Sequence, residues 1–343
     1  MLSKKSPAIR LALPNKGQLL DPTLSFLAAC GLEIYKPNER QYVASVPALP
    51  QVSILFQRAS DIVAKVDEGS ADLGITGYDI VCEEGEAHDD VLVIWENLGY
   101  GKCELVLAVP ESWIDVSSIG DLAELSVSYK EKGRPLRIAT KFPNLTRDWL
   151  YERGIIHFSL IEAEGALEAA PSIGYADMIA DLTASGTTLK ENRLKRIAGG
   201  TILQSQACLI GNRRLLAGHP EKLQTTRIML ELIEAHVRAK QYVTVAGNFR
   251  APSEEALAGR LLAAPEMLGL RGPRIARVYT PAAGESDWYA VSIVVEKKLL
   301  LPAVDHLRSV GGTDITVSPP TYLFDATSQR FDELLAKLKK RDE

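Results

Sequence analysis

From Glu168 to Leu189 the chain sets an acid and a run of small, hydroxylated residues at the end of an apolar segment. Met178, Ile179 and Ala180 read as a strand ending on Asp181, and Thr183, Ala184, Ser185, Gly186, Thr187 and Thr188 follow. Successive backbone N–H groups in such a loop form an anion-binding nest, and the hydroxyls add donors. A helix from Lys190 onward would aim its N-terminus at the same place. Gly186 lets the backbone approach a phosphate closely, and an acid at the strand end suits ribose hydroxyls or a magnesium ion. The same composition also describes an ordinary turn.

Such a loop needs a strand behind it and others beside it. Short apolar runs alternate with helical patterns through the first two thirds of the chain, the habit of βαβ units feeding mainly parallel sheets. The runs predict strands over 9–13, 52–56, 72–76, 91–95, 103–109, 136–140, 157–161, 178–182 and 207–210. Helices are predicted over 18–30, 60–68, 144–153 and 220–240, with Ser60 as an N-cap and Gly31 as a C-terminal stop. After Lys240 the rhythm changes to strand 242–246, helix 253–263, a hairpin pair 275–280 and 288–296, helix 300–309 and strand 314–318. That βαββαβ order is ferredoxin-like, an α+β fold common in ligand-sensing modules. An extra strand at Tyr322, Leu323, Phe324 and Asp325 and a helix over 329–339 follow.

Of 343 residues 46% are apolar, and 39 Lys plus Arg against 44 Asp plus Glu leave a net charge of −5. This is ordinary globular usage with no basic footprint for nucleic acid, and no run approaches the roughly 18 apolar residues of a membrane span. The apolar run before Pro14 is too short for a secretory signal, so a cytoplasmic protein is expected. Cys30, Cys82, Cys103 and Cys208 form no CxxC, and the five histidines show no metal spacing. Neither GxxxxGK[ST] nor GxGxxG occurs.

The spacing Glu168, Gly174, Ala176, Ile179-x-Asp181-Leu182, Ser185-Gly186-x-Thr188-Leu189 resembles the signature of the ATP phosphoribosyltransferase family at every fixed position. Leu13-Pro14-Asn15-Lys16-Gly17, the Arg58-to-Ile62 segment, ADLGITGYDIV, LGYGKCELVLAVP and RIATKFPNLTRDWL are similar to further family segments. Val63 stands where the family commonly has proline, and the segment from Ser318 onward departs from the short ending usual in bacterial long-form members.

The resemblance implies an α/β catalytic region over 1–241 with two lobes like those of periplasmic solute-binding proteins. Lobe I would span about 1–112 and 200–241 and lobe II about 113–199, followed by a regulatory ACT-like domain over 242–343. The implied reaction joins adenine N1 of ATP to C1′ of phosphoribosyl pyrophosphate and opens histidine biosynthesis. Mg²⁺ is expected, held mainly by substrate phosphates, with histidine as inhibitor and a dimeric or hexameric homo-oligomer. Thr183 to Thr188 would bind the 5′-phosphate and Asp181 the ribose hydroxyls, with Glu164 assisting there or at the metal. Glu168 is either a substrate-side carboxylate or a helix cap. Lys16 and Arg58 would meet phosphate or pyrophosphate, and Gly77, Tyr78 and Asp79 would line the adenine side, unless Gly77 merely starts a helix. A non-catalytic two-lobed binding or regulatory protein is the competing expectation.

Overall fold

The structure, a computed structural model, describes residues 9–38, 41–85, 88–163, 165, 167–264, 269–279 and 287–339. The chain divides into one compact unit of residues 1–226 and 333–343 and another of residues 227–332.

The first unit holds two sheets. One is built from β1 (Ile9–Pro14), β2 (Val43–Ser45), β3 (Val52–Gln57), β4 (Leu73–Gly77), β5 (Val91–Trp95) and, much later, β11 (Ala207–Asn212). Their order is β2-β3-β1-β4-β11-β5. β1 is parallel to β3 and β4, and its alternate residues Ile9, Leu11 and Leu13 are buried to 1% exposure or less because α1 (Leu20–Ala29) and α2 (Ile62–Asp67) accompany the sheet. α3 (Tyr78–Glu84) follows β4 directly. The second sheet runs β10-β6-β9-β7-β8, from β6 (Cys103–Pro110), β7 (Leu136–Thr140), β8 (Phe158–Glu162), β9 (Met178–Thr183) and β10 (Leu194–Ser205). Beside it lie α4 (Ile119–Glu131), α5 (Pro143–Glu152) and the one-turn α6 (Thr187–Glu191). Leu107, Val109, Leu122, Ile138, Leu150 and Met178 form its core.

Several expectations are corrected here. β11 is antiparallel to both β4 and β5, and β2 to β3, so the first sheet is mixed. The chain crosses between lobes over 96–102 and returns at Gln206, not near 112 and 200, because β6 pairs with β9 and β10. β10 lies outside the strands the sequence predicts, and the structure carries Gly199-Gly200 within it at a register shift between Arg196 and Thr201. α4 has weak helix formers at Ser126, Val127 and Ser128, yet Ser118 and Asp121 close a reciprocal capping box at its start. Ser60 is no cap. It lies in a 3-10 turn over Ala59–Asp61, and its hydroxyl bonds Asp61 Oδ1 at 2.9 Å. Gly31, at φ +75°, does end α1, with Leu32 N–H donating back to Leu27 O at 2.8 Å.

α7 (Arg213–Gly218) and α8 (Pro220–Ala239) complete the descent toward the second unit, and the division falls inside α8, earlier than residue 242. The reason is that α8 is one continuous helix: its first turn carries Lys222, whose Nζ lies 2.6 Å from Asp72 Oδ1, while Ala235 O accepts from Leu323 N–H at 3.0 Å. The second unit carries β12 (Tyr242–Arg250), α9 (Glu254–Leu261), β13 (Arg274–Arg277), β14 (Trp288–Glu296), α10 (Leu300–Ser309) and β15 (Thr313–Ser318). The sheet order β13-β14-β12-β15, antiparallel throughout, is that of a ferredoxin-like fold. Period-two alternation explains it, with Val243, Val245 and Phe249 buried and Thr244, Ala246 and Asn248 on the other face. Tyr322 to Asp325 form no strand: Pro319-Pro320 precede them, and Tyr322 stacks on Phe324 with ring centroids 5.9 Å apart. α11 (Gln329–Lys339) then returns to the first unit, where Lys337 Nζ donates to Val93 O at 2.8 Å. No described helix is long and apolar enough to cross a membrane.

His88 ties the segment before β5 to two helices, with Nδ1 3.0 Å from Asp67 and Nε2 3.0 Å from Glu84. The Asp67 bond raises its pKa above 6.5, burial opposes the rise and Glu84 adds to it. A raised histidine pKa stabilises the fold fully below the unfolded value of about 6.5 and loses that contribution as pH climbs through the folded value. Denaturant unfolding of the wild type and His88→Asn is therefore expected to differ more at pH 6 than at pH 8.5. Equal differences at the two pH values would remove the ion pairs from the account.

Candidate active site

The second sheet brings strand ends together. Thr140 of β7 lies opposite Ala180 of β9 and Glu162 of β8, all three strands parallel. The chain therefore leaves adjoining strands at one edge with Lys141 and Asp181 side by side, the carboxyl edge at which open α/β sheets bind ligands. Burial pushes the Asp181 carboxyl above the usual aspartate range. The Leu182 N–H, 2.8 Å from Oδ1, opposes the rise, the charge of Glu168 adds to it and Lys141 lowers it. Glu168 sits half-buried in a 3-10 turn over Leu167–Ala169. Glu164 lies outside the described residues.

Beyond Asp181 the loop folds on its own hydroxyls. Thr183 Oγ1 accepts from Gly186 N–H at 2.9 Å, and the Ser185 and Thr187 hydroxyls are 2.9 Å apart. Gly186 adopts φ +77°, the left-handed conformation that costs a residue with a Cβ roughly 1–2 kcal/mol. The N–H groups of Ala184 and Ser185 find no acceptor among the described residues, which leaves two donors for an outside anion. The helix starts earlier than expected, so Thr187 and Thr188 open α6 and Lys190 lies within it. Arg137 holds the rest of the signature: it forks onto Asp177 and donates to Gly174 O at 3.0 Å, while Ala176 N–H reaches Ala170 O at 3.2 Å.

The first lobe offers a second carboxyl edge. Pro14 pairs with Gln57 in parallel, so Lys16 and Arg58, both exposed, leave adjoining strands β1 and β3. Lys16 borders a cavity of about 310 Å³ with Asn15, Leu20, Lys36, Tyr42 and Phe56. Asn15 Oδ1 is buried there without a partner among the described residues. β4 ends at the same edge on Gly77, which caps α3, and a Cβ there would come within 2.5 Å of Asp79 Oδ1. Asp79 itself is 5% exposed and its carboxylate is taken by the Ser205 hydroxyl, so it serves the fold and is withdrawn as an adenine contact. Burial and the Cys82 thiol beside it push the Tyr78 phenol up. Burial also raises the Cys103 thiol to about 11, which fits a packed side chain better than a nucleophile.

Lys141 was missed although it stands within RIATKFPNLTRDWL. Its signal is positional: it is the first residue past a strand that pairs in parallel with the strand of Asp181, a neighbour relation that appears only once the register is known.

A family model described as ATP phosphoribosyltransferase matches residues 58–234, and another described as HisG, C-terminal domain, matches residues 239–321. The chain is 43% identical to ATP phosphoribosyltransferase 2, chloroplastic, of Arabidopsis thaliana over 96% of its own length and 80% of the relative's. It is 34% identical to an ATP phosphoribosyltransferase of Bradyrhizobium diazoefficiens over 96% and 98% of the two chains. Among solved structures it resembles an ATP phosphoribosyl transferase (HisG:HisZ) complex from Thermotoga maritima, at TM-score 0.51 and 25% identity, over 66% of this chain and 98% of that one. With the signature matched at every fixed position and both family models spanning the two units, the chain belongs to the ATP phosphoribosyltransferase family.

Proposed function

We propose that the protein transfers the phosphoribosyl group of phosphoribosyl pyrophosphate to N1 of ATP, with the loop Thr183 to Thr188 holding the 5′-phosphate and Asp181 the ribose. The observation that carries this is the half-buried Asp181 near the end of β9, followed within four residues by the two open N–H groups of Ala184 and Ser185. The C1′–N1 bond forms as the C1′–oxygen bond to pyrophosphate breaks, and the bonding pair leaves with pyrophosphate. Positive charge grows on the ribose ring and negative charge on the leaving group. Asp181 answers the first charge, and Lys16, Arg58 and Lys141, all exposed cations at strand ends, answer the second.

A divalent cation, Mg²⁺ in this proposal, supplies charge neutralisation of the pyrophosphate when bound. Glu168 and Asp181 are the residues that fit it, since their mutual repulsion adds to the rise of the Asp181 carboxyl and a cation beside them would relieve it. Incubation with ATP, phosphoribosyl pyrophosphate and Mg²⁺ is expected to give the absorbance of an N1-substituted adenine product. No product from folded protein would overturn the proposal in favour of a non-catalytic binding protein.

Gly186→Val is expected to cost at least about tenfold in phosphoribosyl pyrophosphate affinity by calorimetry, since valine is strained at φ +77° although its Cβ meets nothing within 4 Å. Unchanged affinity would remove the loop from the site. Histidine regulation rests on the second unit, where a cavity of about 650 Å³ is lined by Arg238, Arg271, Arg274, Ser292 and Asp325. Both signs of charge stand there for an amino-acid zwitterion, and a homo-oligomer is the expected assembly. Millimolar histidine is expected to slow the full-length enzyme, and an unaffected rate would reduce this unit to a packing module. The compartment proposed is the cytoplasm, in keeping with four cysteines that are all free.

A further inference from the structure

Helix α3 of the first lobe is bonded to the second lobe at both of its ends. At its start Asp79 N–H donates to Ser205 Oγ at 2.9 Å, and the Ser205 hydroxyl bonds back to Asp79 Oδ1. One turn later Glu83 Oε1 accepts from Asn144 N–H at 2.8 Å and Oε2 from Leu145 N–H at 3.0 Å. Asn144 Nδ2 adds a bond to Glu83 O at 3.2 Å. Asp79 and Glu83 are four residues apart, so they share one face of α3 and that face is turned to the second lobe.

Asn144 and Leu145 are the second and third residues of α5, whose own N-cap position, Phe142, makes no side-chain cap bond. A helix start leaves its first N–H groups without intrahelical partners, and a cap is ordinarily supplied from its own chain just upstream. Here the cap is a carboxylate from the opposite lobe. The two attachments across the lobes differ in what they resist. Ser205 is one residue from the crossing at Gln206, and the crossings are bonded to each other by Ala207 N–H to Tyr100 O at 3.0 Å. That attachment survives a rotation about the crossings. α5 touches neither crossing segment in sequence, so the Glu83 bonds must break for the lobes to part. What they join is also specific: α3 begins on Gly77, at the edge that carries Lys16 and Arg58, and α5 begins two residues after Lys141, the neighbour of Asp181.

We propose that Glu83 is a positioning residue that sets the separation of the two substrate-binding edges by capping α5 across the cleft. The proposal rests on the phosphoribosyl-transfer reading for its catalytic consequence. Burial pushes the Glu83 carboxyl up and the Asn144 and Leu145 N–H groups oppose that, as expected of a carboxylate whose partners are fixed helix-start donors.

The test compares full-length wild type, Glu83→Ala and Glu83→Gln. In Glu83→Ala, kcat is expected to fall at least about tenfold, because Asp181 and the leaving-group cations Lys16 and Arg58 stand on opposite lobes and small misplacements are costly. The affinity for phosphoribosyl pyrophosphate by calorimetry is expected to fall by less than kcat does, since the Thr183-to-Thr188 loop and Asp181 belong wholly to the second lobe and only Lys16 and Arg58 would be displaced from the pyrophosphate. The radius of gyration by small-angle scattering should rise, and Glu83→Gln, which keeps one acceptor, should lose less kcat. A kcat within about twofold of wild type overturns the proposal whatever the scattering shows. A fall in kcat matched by an equal loss of phosphoribosyl pyrophosphate affinity and of unfolding midpoint overturns it too, as a structural role. If the wild type itself makes no product, the phosphoribosyl-transfer reading fails separately, and scattering of Glu83→Ala decides the clasp: an unchanged radius of gyration overturns it.

Discussion

Asp181→Asn is expected to lower kcat/KM about 100-fold, about 2.7 kcal/mol, while leaving the fold as stable as before or slightly more so. The substitution is nearly isosteric and removes the negative charge that the proposed function sets against a ribose ring gaining positive charge. The stability half follows from the direction of the pKa shift. Burial, aided by Glu168, raises this carboxyl, so the charged form is the less favoured one in the fold and its cost grows as pH rises above the ordinary aspartate range. Asparagine carries no such cost at pH 7.5. Steady-state kinetics with thermal unfolding at that pH checks both halves. Activity within about threefold of wild type would free Asp181 from the chemistry, and a large loss of stability would make the kinetic effect uninterpretable as charge removal.

The largest stability effect is expected at Asp72, which is fully buried and gathers three donors. Arg10 N–H reaches Oδ2 at 2.7 Å and Arg10 Nε at 3.4 Å, and Lys222 Nζ reaches Oδ1 at 2.6 Å. The donors come from Arg10 at the start of β1 and Lys222 in the first turn of α8, and Asp72 itself immediately precedes β4, so one carboxylate joins the first sheet to the helix that leads out of it. Removing it leaves the Lys222 ammonium, whose side chain is 15% exposed, without its counter-charge. Breaking one partner of a buried pair costs about 3–5 kcal/mol, and Asp72→Ala is expected to lose that much in denaturant unfolding. Asp72→Asn retains an acceptor for the Arg10 N–H and should lose less. A loss below about 1 kcal/mol for the alanine variant would show the network to be a spectator.

The strands most legible in the sequence were those buried on both faces. Ile9 to Leu13, Leu136 to Thr140 and Met178 to Leu182 are short, mainly apolar runs, each with a single charged residue, Arg10, Arg137 or Asp181, and strand burial demands little more than that. After Lys240 the succession of elements likewise gave the βαββαβ order, while the first strand runs on to Arg250, past the expected 246, with Val243, Val245 and Phe249 buried on one face. Elements whose stability is not intrinsic were not visible. β10 contains Gly199-Gly200 and exists because β6 offers it a ladder; α4 exists because Ser118 and Asp121 cap a sequence of weak helix formers.

For the candidate site, the sequence by itself singled out the proposed phosphate loop and Asp181, because an anion nest is built from consecutive residues whose types are prescribed by backbone geometry. Only the tertiary structure decided that Lys141 stands beside Asp181, that Asp79 is spent on Ser205, and that Glu83 caps a helix in the other lobe. Each of those depends on strand register or on a contact between residues more than 35 positions apart, such as Lys141 and Asp181, Asp79 and Ser205, or Glu83 and Asn144. Local chemistry sets which residues can bind; the pairing of distant strands sets which of them meet.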